Sequence, residues 1–147
     1  MTGVRSFVFA AVAAVCFTQA GCSSSDSSSV TAAGTVTVAG QPLSGAVITL
    51  EPMSGTTGPN ASVPVLGGQF EIGPEAELHG GQYRVRVSMI PASIRSGIPT
   101  KSDDGTTYQL PAADAMIDPA FDGDSKLTCD LRSGEVNPLQ FDVRFLK

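Results

Sequence analysis

The sequence GGQYRVRVSM at residues 80–89 contains the clearest β-strand pattern of the chain. Two glycines, which are typical of a turn, precede apolar residues at 83, 85, 87 and 89 that alternate with polar ones. Successive side chains of a strand point to opposite faces of a sheet. The pattern therefore predicts a strand over residues 82–89 with one buried face and one hydrated face, as in an antiparallel sheet.

Six further short segments carry a similar pattern and are separated by glycine and proline. They cover residues 34–38, 45–51, 62–66, 69–72, 126–132 and 139–145. Pro64 indicates a strand at a sheet edge, because proline cannot donate to the hydrogen-bond ladder. Gly67 and Gly68 predict a hairpin between two of these strands. Seven strands without an amphipathic helix predict an all-β fold, a seven-stranded antiparallel β-sandwich.

The alternation also predicts a core. Its inward-facing residues are Val36, Val38, Ile48, Leu50, Phe70, Tyr83, Val85, Val87, Leu127, Cys129, Leu131, Phe141, Val143 and Phe145. Between residues 90 and 125 the strand pattern fades. A segment of this length without regular structure is usually either functional or disordered.

The first 21 residues have the features of a secretory signal peptide. Arg5 precedes an uncharged and mostly apolar run over residues 6–17, and Ala20 and Gly21 lead into Cys22. The run is too short to span a bilayer, which takes about 20 apolar residues. A cysteine directly after the cleavage point resembles the lipobox of bacterial lipoproteins, although Gln19 stands where that family usually has an aliphatic residue. The resemblance implies that the Cys22 thiol carries lipid.

Residues 22–32 are rich in serine and predict a flexible tether behind the lipidated cysteine. The remaining residues, 33–147, suffice for one domain. The sequence thus predicts a protein of the bacterial cell envelope that is anchored to the membrane through Cys22 and faces the periplasm or the cell exterior. A formal net charge of −5 without a basic stripe argues against nucleic acid as a partner.

Three segments together resemble carboxypeptidase regulatory-like domains. They are GTVTVAGQPLSGAVI at residues 34–48, GQFEI at 68–72 and GQYRVRV at 81–87. The similarity covers about residues 33–146, with a variable part at 90–115, and is greatest to small bacterial lipoproteins with one such domain. It implies an Ig-like or transthyretin-like (prealbumin-like) sandwich that acts as a non-catalytic module, and it names no ligand.

The residues with reactive side chains do not form a catalytic pattern. Cys16 lies in the signal run, Cys22 is assigned to lipid, and Cys129 shares a strand face with Leu127 and Leu131, which predicts a buried apolar role. His79 is the only histidine and lies in an apparent turn, so a zinc site lacks ligands. The sequence predicts neither an enzyme nor a cofactor.

Asp118, Asp122 and Asp124 form a small acidic cluster. Oxygen-rich loops suit calcium, but this spacing differs from that of an EF-hand. The cluster is either a weak calcium site or, the favoured interpretation, an acidic turn before a strand. Asp103 and Asp104 are interpreted as turn residues.

The predicted outward positions carry several arginines, which either pair with carboxylates across a sheet or form a ligand face. The arginines are Arg84, Arg86, Arg132 and Arg144, and the carboxylates are Glu51, Asp130 and Asp142. Cross-sheet pairing is the favoured alternative. With two tyrosines and no tryptophan, the chain lacks the aromatic platform expected of a carbohydrate-binding surface.

These features favour a non-enzymatic, membrane-anchored lipoprotein that serves as a structural or interaction module, with an unidentified envelope protein or glycan as partner. The alternative is a ligand-binding module that recognises a peptide, glycan or calcium through the long loop at residues 90–125.

Overall fold

The computed structural model describes residues 29–102 and 105–147. Within these residues the chain forms eight strands, a single-turn helix α1 (Ala92–Arg95), and two 3-10 helices at Pro74–Ala76 and Pro119–Phe121. The strands are β1 (Thr31–Val38), β2 (Gln41–Pro42), β3 (Ala46–Pro52), β4 (Ala61–Val65), β5 (Gln69–Ile72), β6 (Gly81–Met89), β7 (Thr128–Leu131) and β8 (Val136–Val143). The fold is therefore almost entirely β.

The first sheet is built around β1. On one side β1 pairs with β8 along its full length, and on the other it pairs with β5 and, at its end, with β2. The β1–β8 pair is parallel, and the others are antiparallel. β1 and β8 approach so closely at Gly34 that no side chain fits there, because a Cβ atom would lie 2.0 Å from the Leu139 carbonyl oxygen.

The second sheet has the strand order β4-β3-β6-β7 and is antiparallel throughout. The Gly67-Gly68 hairpin joins β4 of this sheet to β5 of the other. One hydrophobic core takes buried residues from both sheets, including Val36 of β1, Ile48 of β3 and Val85 of β6. The arrangement is a β-sandwich.

Two features of the predicted fold class are wrong in detail. The described residues hold eight strands, not seven, because the turn at Ala39 and Gly40, with φ of 50° and 76°, folds β2 back on β1 as a two-residue strand. The sandwich is also not purely antiparallel. The chain crosses from β7 to the other sheet before β8, which then runs parallel to β1.

The alternating strand faces are confirmed. In β6, Tyr83, Val85 and Val87 are fully buried. Of the predicted core residues, Val38, Leu127, Phe141 and Phe145 are half-buried against the core, and the others are buried. Pro64 lies on β4 at the edge of the second sheet, as predicted.

The chain joins the sandwich earlier than predicted. β1 begins at Thr31 rather than at Gly34, and Val30 before it is buried and pairs with Leu78. Residues 30–32, predicted as the end of the tether, thus belong to the sandwich. The predicted signal peptide and residues 22–28 of the predicted tether, including Cys22, lie outside the described residues, as do Asp103 and Asp104.

The register gives the sandwich two distinct ends. β1 and β8 begin together at the end that we call the entry end, where Thr31 pairs with Val136. They finish at the opposite end, which we call the apical end. β3 begins and β6 finishes there, since Ala46 pairs with Met89, and Ile90 donates to the Gly45 carbonyl.

Buried polar groups fasten the entry end. The Asn137 amide donates to the carbonyls of Thr31, Arg132 and Glu135 and accepts a bond of 2.8 Å from the Arg132 N–H. These bonds connect the turn between β7 and β8 to the first residue of β1. A buried amide with all these partners avoids the cost of unsatisfied polar groups.

Candidate functional site

The described residues of the long segment at 90–117, namely 90–102 and 105–117, fold over the apical end of the sandwich, and we call them the apical segment. It contains α1, an isolated bridge between Lys101 and Thr107, and a second bridge between Ile117 and Phe145. The prediction that regular strands are absent here is confirmed for the described residues. Side-chain contacts hold the middle of the segment in place, and backbone bonds hold its two ends, at Ile90 and at Met116 and Ile117.

Arg95 is the centre of these contacts. The residue is 4% exposed. Its guanidinium donates to the carbonyls of Ile90 at 3.0 Å, Ala112 at 2.9 Å, Ala113 at 3.2 Å and, more weakly, Pro111 at 3.4 Å. No ion pair joins Arg95 to a carboxylate within the described residues. The side chain therefore fastens the two halves of the apical segment to each other through backbone dipoles.

Two glycines of the sandwich leave room for side chains of the apical segment. A Cβ atom at Gly45 would lie 2.9 Å from Arg95 Cδ and 3.3 Å from a methyl group of Leu110. At Gly67 a Cβ atom would lie 2.4 Å from Tyr108 Cε1. Both glycines also have positive φ, which L side chains rarely adopt. The turns at Gly45 and Gly67 therefore allow the apical segment to pack closely against the sandwich.

Two depressions lie at the apical end. The first, which we call the Tyr108 pocket, has a volume of about 480 Å³. It is lined by Gln41, Pro42, Ser44, Gly67, Thr106, Thr107, Tyr108 and Gln109. The second, which we call the Met116 cleft, has about 450 Å³ and lies between the end of β6, α1 and residues 113–117. Met116 is exposed at 61% and Ile94 of α1 at 64%.

A third depression lies on the side of the sandwich. It has about 610 Å³ and runs along the edges of β4 and β5, with Val63, Pro64, Phe70 and Glu71 among its lining residues. The polar side chains of its described lining are those of Thr35, Gln69 and Glu71, of which only Glu71 carries a charge.

Two of the three aspartates proposed as a weak calcium site, Asp118 and Asp122, bond to other groups of the chain. Asp118 Oδ1 accepts the Ala120 N–H at 3.0 Å, and its Oδ2 accepts from Arg144 Nε at 2.9 Å. Asp122 Oδ1 pairs with Arg86 at 2.8 Å. Within the described residues no three metal-ligating side chains come together. The Ala120 N–H and then Arg144 lower the pKa of Asp118.

Three of the outward arginines pair with carboxylates, but of the predicted partners Glu51, Asp130 and Asp142 only Glu51 forms an ion pair within the described residues. Arg84 and Arg86 of β6 both donate to Glu51 of β3, with a distance of 2.9 Å from Arg86 Nη1 to Glu51 Oε1. Arg86 continues the network to Asp122. Asp142 instead accepts from the Thr37 hydroxyl at 2.7 Å. Arg132 forms no ion pair within the described residues.

Because two arginines pair with Glu51, the stability of the fold depends on pH. Arg84 and then Arg86 lower the pKa of Glu51 by donating to its carboxylate. A lowered folded-state pKa stabilises the fold at pH above the ordinary glutamate pKa of ~4.3, and this contribution is lost as pH falls through the folded-state value. We expect Glu51→Gln to be less stable than wild type at pH 7, with the two urea midpoints converging in acid.

The matched control for this prediction is Glu71→Gln, which removes an exposed carboxylate of β5 that has no ion pair within the described residues. Its urea midpoint should stay close to that of wild type at both pH values. A Glu51→Gln deficit that is as large at pH 3 as at pH 7 would contradict the role given to the ion pairs.

The remaining candidate residues are placed as the sequence indicated. Cys129 is buried, and burial followed by the charge of Asp130 raises the pKa of its thiol to about 11. The thiol is therefore protonated and unreactive at neutral pH. His79 is exposed in a turn, where its Nδ1 lies 3.1 Å from the Thr57 hydroxyl.

Arg95 was missed as a structural residue by the sequence interpretation. Its signal was a lone arginine within IPASIRSGIP at residues 90–99, where the other residues are apolar or small and uncharged. A cation in such a run has no nearby sequence partner, which favours bonds to backbone carbonyls. Tyr108 was noted only as part of a short apolar island, because its contact with Gly67 depends on the tertiary fold.

No family model matches the chain, and no curated protein matches it significantly. Among solved structures, the chain is similar to a DUF3823 family protein from Bacteroides uniformis, with a TM-score of 0.39 and 17% sequence identity. The match covers 80% of this chain and 43% of that protein, so the chain spans less than half of its length. The assignment to carboxypeptidase regulatory-like domains stays a prediction. No helix of the described residues is long and apolar enough to cross a membrane.

Proposed function

We propose that the chain is a non-enzymatic, lipid-anchored lipoprotein of a bacterial cell envelope whose sandwich presents its apical end to a partner. The domain would be of the carboxypeptidase regulatory-like type. The lipobox-like sequence around Cys22 supports the anchor, and the serine-rich residues that follow support a tether. The protein would face the periplasm or the cell exterior.

One observation carries this proposal, namely the separation of the two ends of the sandwich. β1 starts at the entry end, next to the predicted tether, and its eight residues run toward the apical end. At about 3.3 Å per residue, a strand of this length places the apical end roughly 25 Å farther from the anchor. The built surface of the apical segment would thus point away from the membrane, where a partner has access.

A hydrogen bond of Tyr83 supports the finer fold assignment. The Tyr83 hydroxyl donates to the His79 carbonyl at 3.0 Å and lies 3.2 Å from the His79 N–H, four residues upstream. A tyrosine near the start of a strand that bonds to backbone a few residues upstream is a hallmark of Ig-like sandwiches. This tyrosine corner favours an Ig-like or transthyretin-like topology.

The chemistry of the described side chains supports a non-catalytic role. The Cys129 thiol is buried and protonated, His79 is hydrogen-bonded in a surface turn, and Arg86 is occupied by two carboxylates. A nucleophile in a protein usually needs an adjacent base or a lowered pKa. The raised pKa of Cys129 is the opposite of that requirement.

The anchor is tested by growing bacteria that express the full chain with labelled palmitate. We expect the label on wild type and its complete loss in Cys22→Ala, which should also leave the membrane fraction. Cys129→Ala is the matched control, because its buried thiol is not exposed to acyl transfer, and it should keep the label. Equal labelling of wild type and Cys22→Ala, or a soluble wild-type protein, would refute the anchor.

The second candidate function is recognition of a small ligand by the apical segment. It is favoured by the two depressions at the apical end, whose volumes fall in the range of about 300–1,000 Å³ that is common for ligand sites. In this case the anchor would hold a binding domain at the membrane, and the partner would be a soluble or surface-attached molecule.

A further inference from the structure

The Tyr108 pocket differs from the other depressions in its chemistry. None of the eight described residues that line it carries a charge. Arg95, Asp114 and Asp122 belong to the lining of the Met116 cleft. The third depression, along the edges of β4 and β5, includes Glu71. An ion in the Tyr108 pocket would therefore lack a counter-charge among these residues.

The polar groups of the pocket are amides and hydroxyls. The side chains of Gln41 and Gln109 are exposed, and neither is hydrogen-bonded within the described residues. Each amide offers one oxygen acceptor and two N–H donors. A purely apolar ligand would bury these groups without partners, which costs free energy. The pocket thus suits a ligand whose surface both donates and accepts hydrogen bonds.

The apolar part of the pocket is small and rigid. Tyr108 is half-buried, and its ring lies against Gly67, where an added Cβ atom would be 2.4 Å from Cε1. Pro42 lines the pocket beside Gly67, and a Cβ atom at Gly68 would lie 2.7 Å from Pro42 Cβ. The turn and the ring therefore pack closely against each other. Such an apolar contact orients a ligand that has an apolar face of its own.

We propose that the Tyr108 pocket binds a neutral saccharide, with the sugar ring against Tyr108 and Pro42 and the sugar hydroxyls bonded to Gln41 and Gln109. A pyranose ring has hydroxyls that donate and accept around its rim, C–H groups on its faces, and no charge. The chain lacks a broad aromatic platform, so the pocket engages one sugar unit instead of a long glycan surface. This inference rests on the proposed role of the apical end as the binding face.

Nuclear magnetic resonance titration of the ¹⁵N-labelled full chain tests the proposal. The protein is held in dodecylphosphocholine micelles, whose headgroup contains no sugar. The probes are tetramers of glucose, mannose and N-acetylglucosamine, with tetragalacturonate as the anionic comparison and a capped uncharged peptide as the non-sugar comparison. We expect weak binding of at least one neutral tetramer, with Kd on the order of 1 mM. The shifted amides should be those of residues 41–44, 67 and 106–109.

Variants separate the pocket from non-specific effects. Tyr108→Ala should weaken binding about tenfold, which corresponds to ~1.4 kcal/mol, whereas Tyr108→Phe keeps the ring and should stay near wild type. Gln41→Ala should also weaken binding, and its amide is exposed, so the fold should persist. Gln140→Ala removes an exposed amide of β8 away from the pocket and should change nothing.

Several results would overturn the proposal. They are the absence of shifts with every neutral tetramer, preferred binding of tetragalacturonate or of the peptide, shifts centred on the Met116 cleft, or an equal loss in Gln140→Ala. None of these results bears on palmitate labelling of Cys22. Failure of the saccharide proposal can therefore be told apart from failure of the proposed anchor.

Discussion

Replacing Gly34 by alanine is expected to lower the free energy of unfolding by about 3 kcal/mol or more, because the added methyl group overpacks the first sheet. The Cβ atom would lie 2.0 Å from the Leu139 carbonyl oxygen and 2.7 Å from its carbon. Both atoms belong to the backbone of β8 and cannot rotate away. The Phe70 ring would be a further close contact, with its Cζ atom 3.0 Å from the added Cβ atom.

The expected loss of stability is opposite in sign to the intrinsic preference of a strand for alanine over glycine. Alanine is favoured over glycine in a regular strand by roughly 0.5–1 kcal/mol. The contact with Leu139 must exceed this gain and force β1 and β8 apart along their parallel pairing. Urea denaturation measures the net effect, and amide exchange in β1 and β8 shows where the pairing is lost.

The matched control is Gly123→Ala. A Cβ atom at Gly123 meets no atom within 4 Å, and its backbone does not have positive φ. This substitution should change stability by no more than about 0.5 kcal/mol. If the two alanine variants have the same urea midpoint, then β1 and β8 do not approach each other as described.

The residues that alternate in strands were predictable because burial on one face is a local signal. β6 carries this signal, as does the seven-residue segment 139–145 that includes the second half of β8, and their less exposed faces follow it. Gly34 was also visible, as the first residue of a motif. The reason why glycine is required there was not visible, since it depends on the Leu139 carbonyl more than a hundred residues later.

The pairing of strands was less predictable than their existence. A turn of a few residues joins β7 to β8, which suggests an antiparallel hairpin within one sheet. Instead Asn137 bonds to Thr31 and the chain crosses to the other sheet, so that β8 pairs with β1. This choice is made by tertiary contacts between distant residues. Core residues in short or irregular segments, such as Leu43 and Ile117, were missed for the same reason.

The candidate site was only partly predictable. The faded strand pattern marked residues 90–125 as unusual, and the structure places two depressions there. The residues that build them come from separate turns, because Gln41, Gly67 and Tyr108 meet only in the folded chain. No periodicity in the sequence connects these positions.

Replacing Arg95 by methionine is expected to release the apical segment from the sandwich. Methionine keeps much of the aliphatic volume but cannot donate to the carbonyls of Ile90, Pro111, Ala112 and Ala113. Hydrogen bonds to a charged group contribute about 1.5–3 kcal/mol each, and of these carbonyls that of Ala112 keeps a bond from the Ala115 N–H. Water that enters the loosened segment replaces part of these bonds. We therefore expect the free energy that holds the apical segment on the sandwich to fall by about 3 kcal/mol, which is less than the sum of four bonds.

The effect should be local. Amide exchange at residues 92–98 should accelerate strongly, and thermolysin should cut between residues 90 and 113, while exchange in β3 and β6 changes little. Arg132→Met is the matched control, because Arg132 is exposed and its side chain forms no ion pair within the described residues. It should leave both exchange and proteolysis unchanged.

The sign of the Arg95 effect decides between two opposing terms. A buried guanidinium without a carboxylate carries a desolvation cost, and replacing buried charges by apolar residues sometimes stabilises a protein by about 1–4 kcal/mol. Against this, three of the carbonyl oxygens lie within 3.2 Å of its N–H groups. Each of these oxygens would lose this donor when Arg95 is replaced. Slower exchange in Arg95→Met would mean that desolvation outweighs the four bonds, and that the apical segment is held by its apolar contacts.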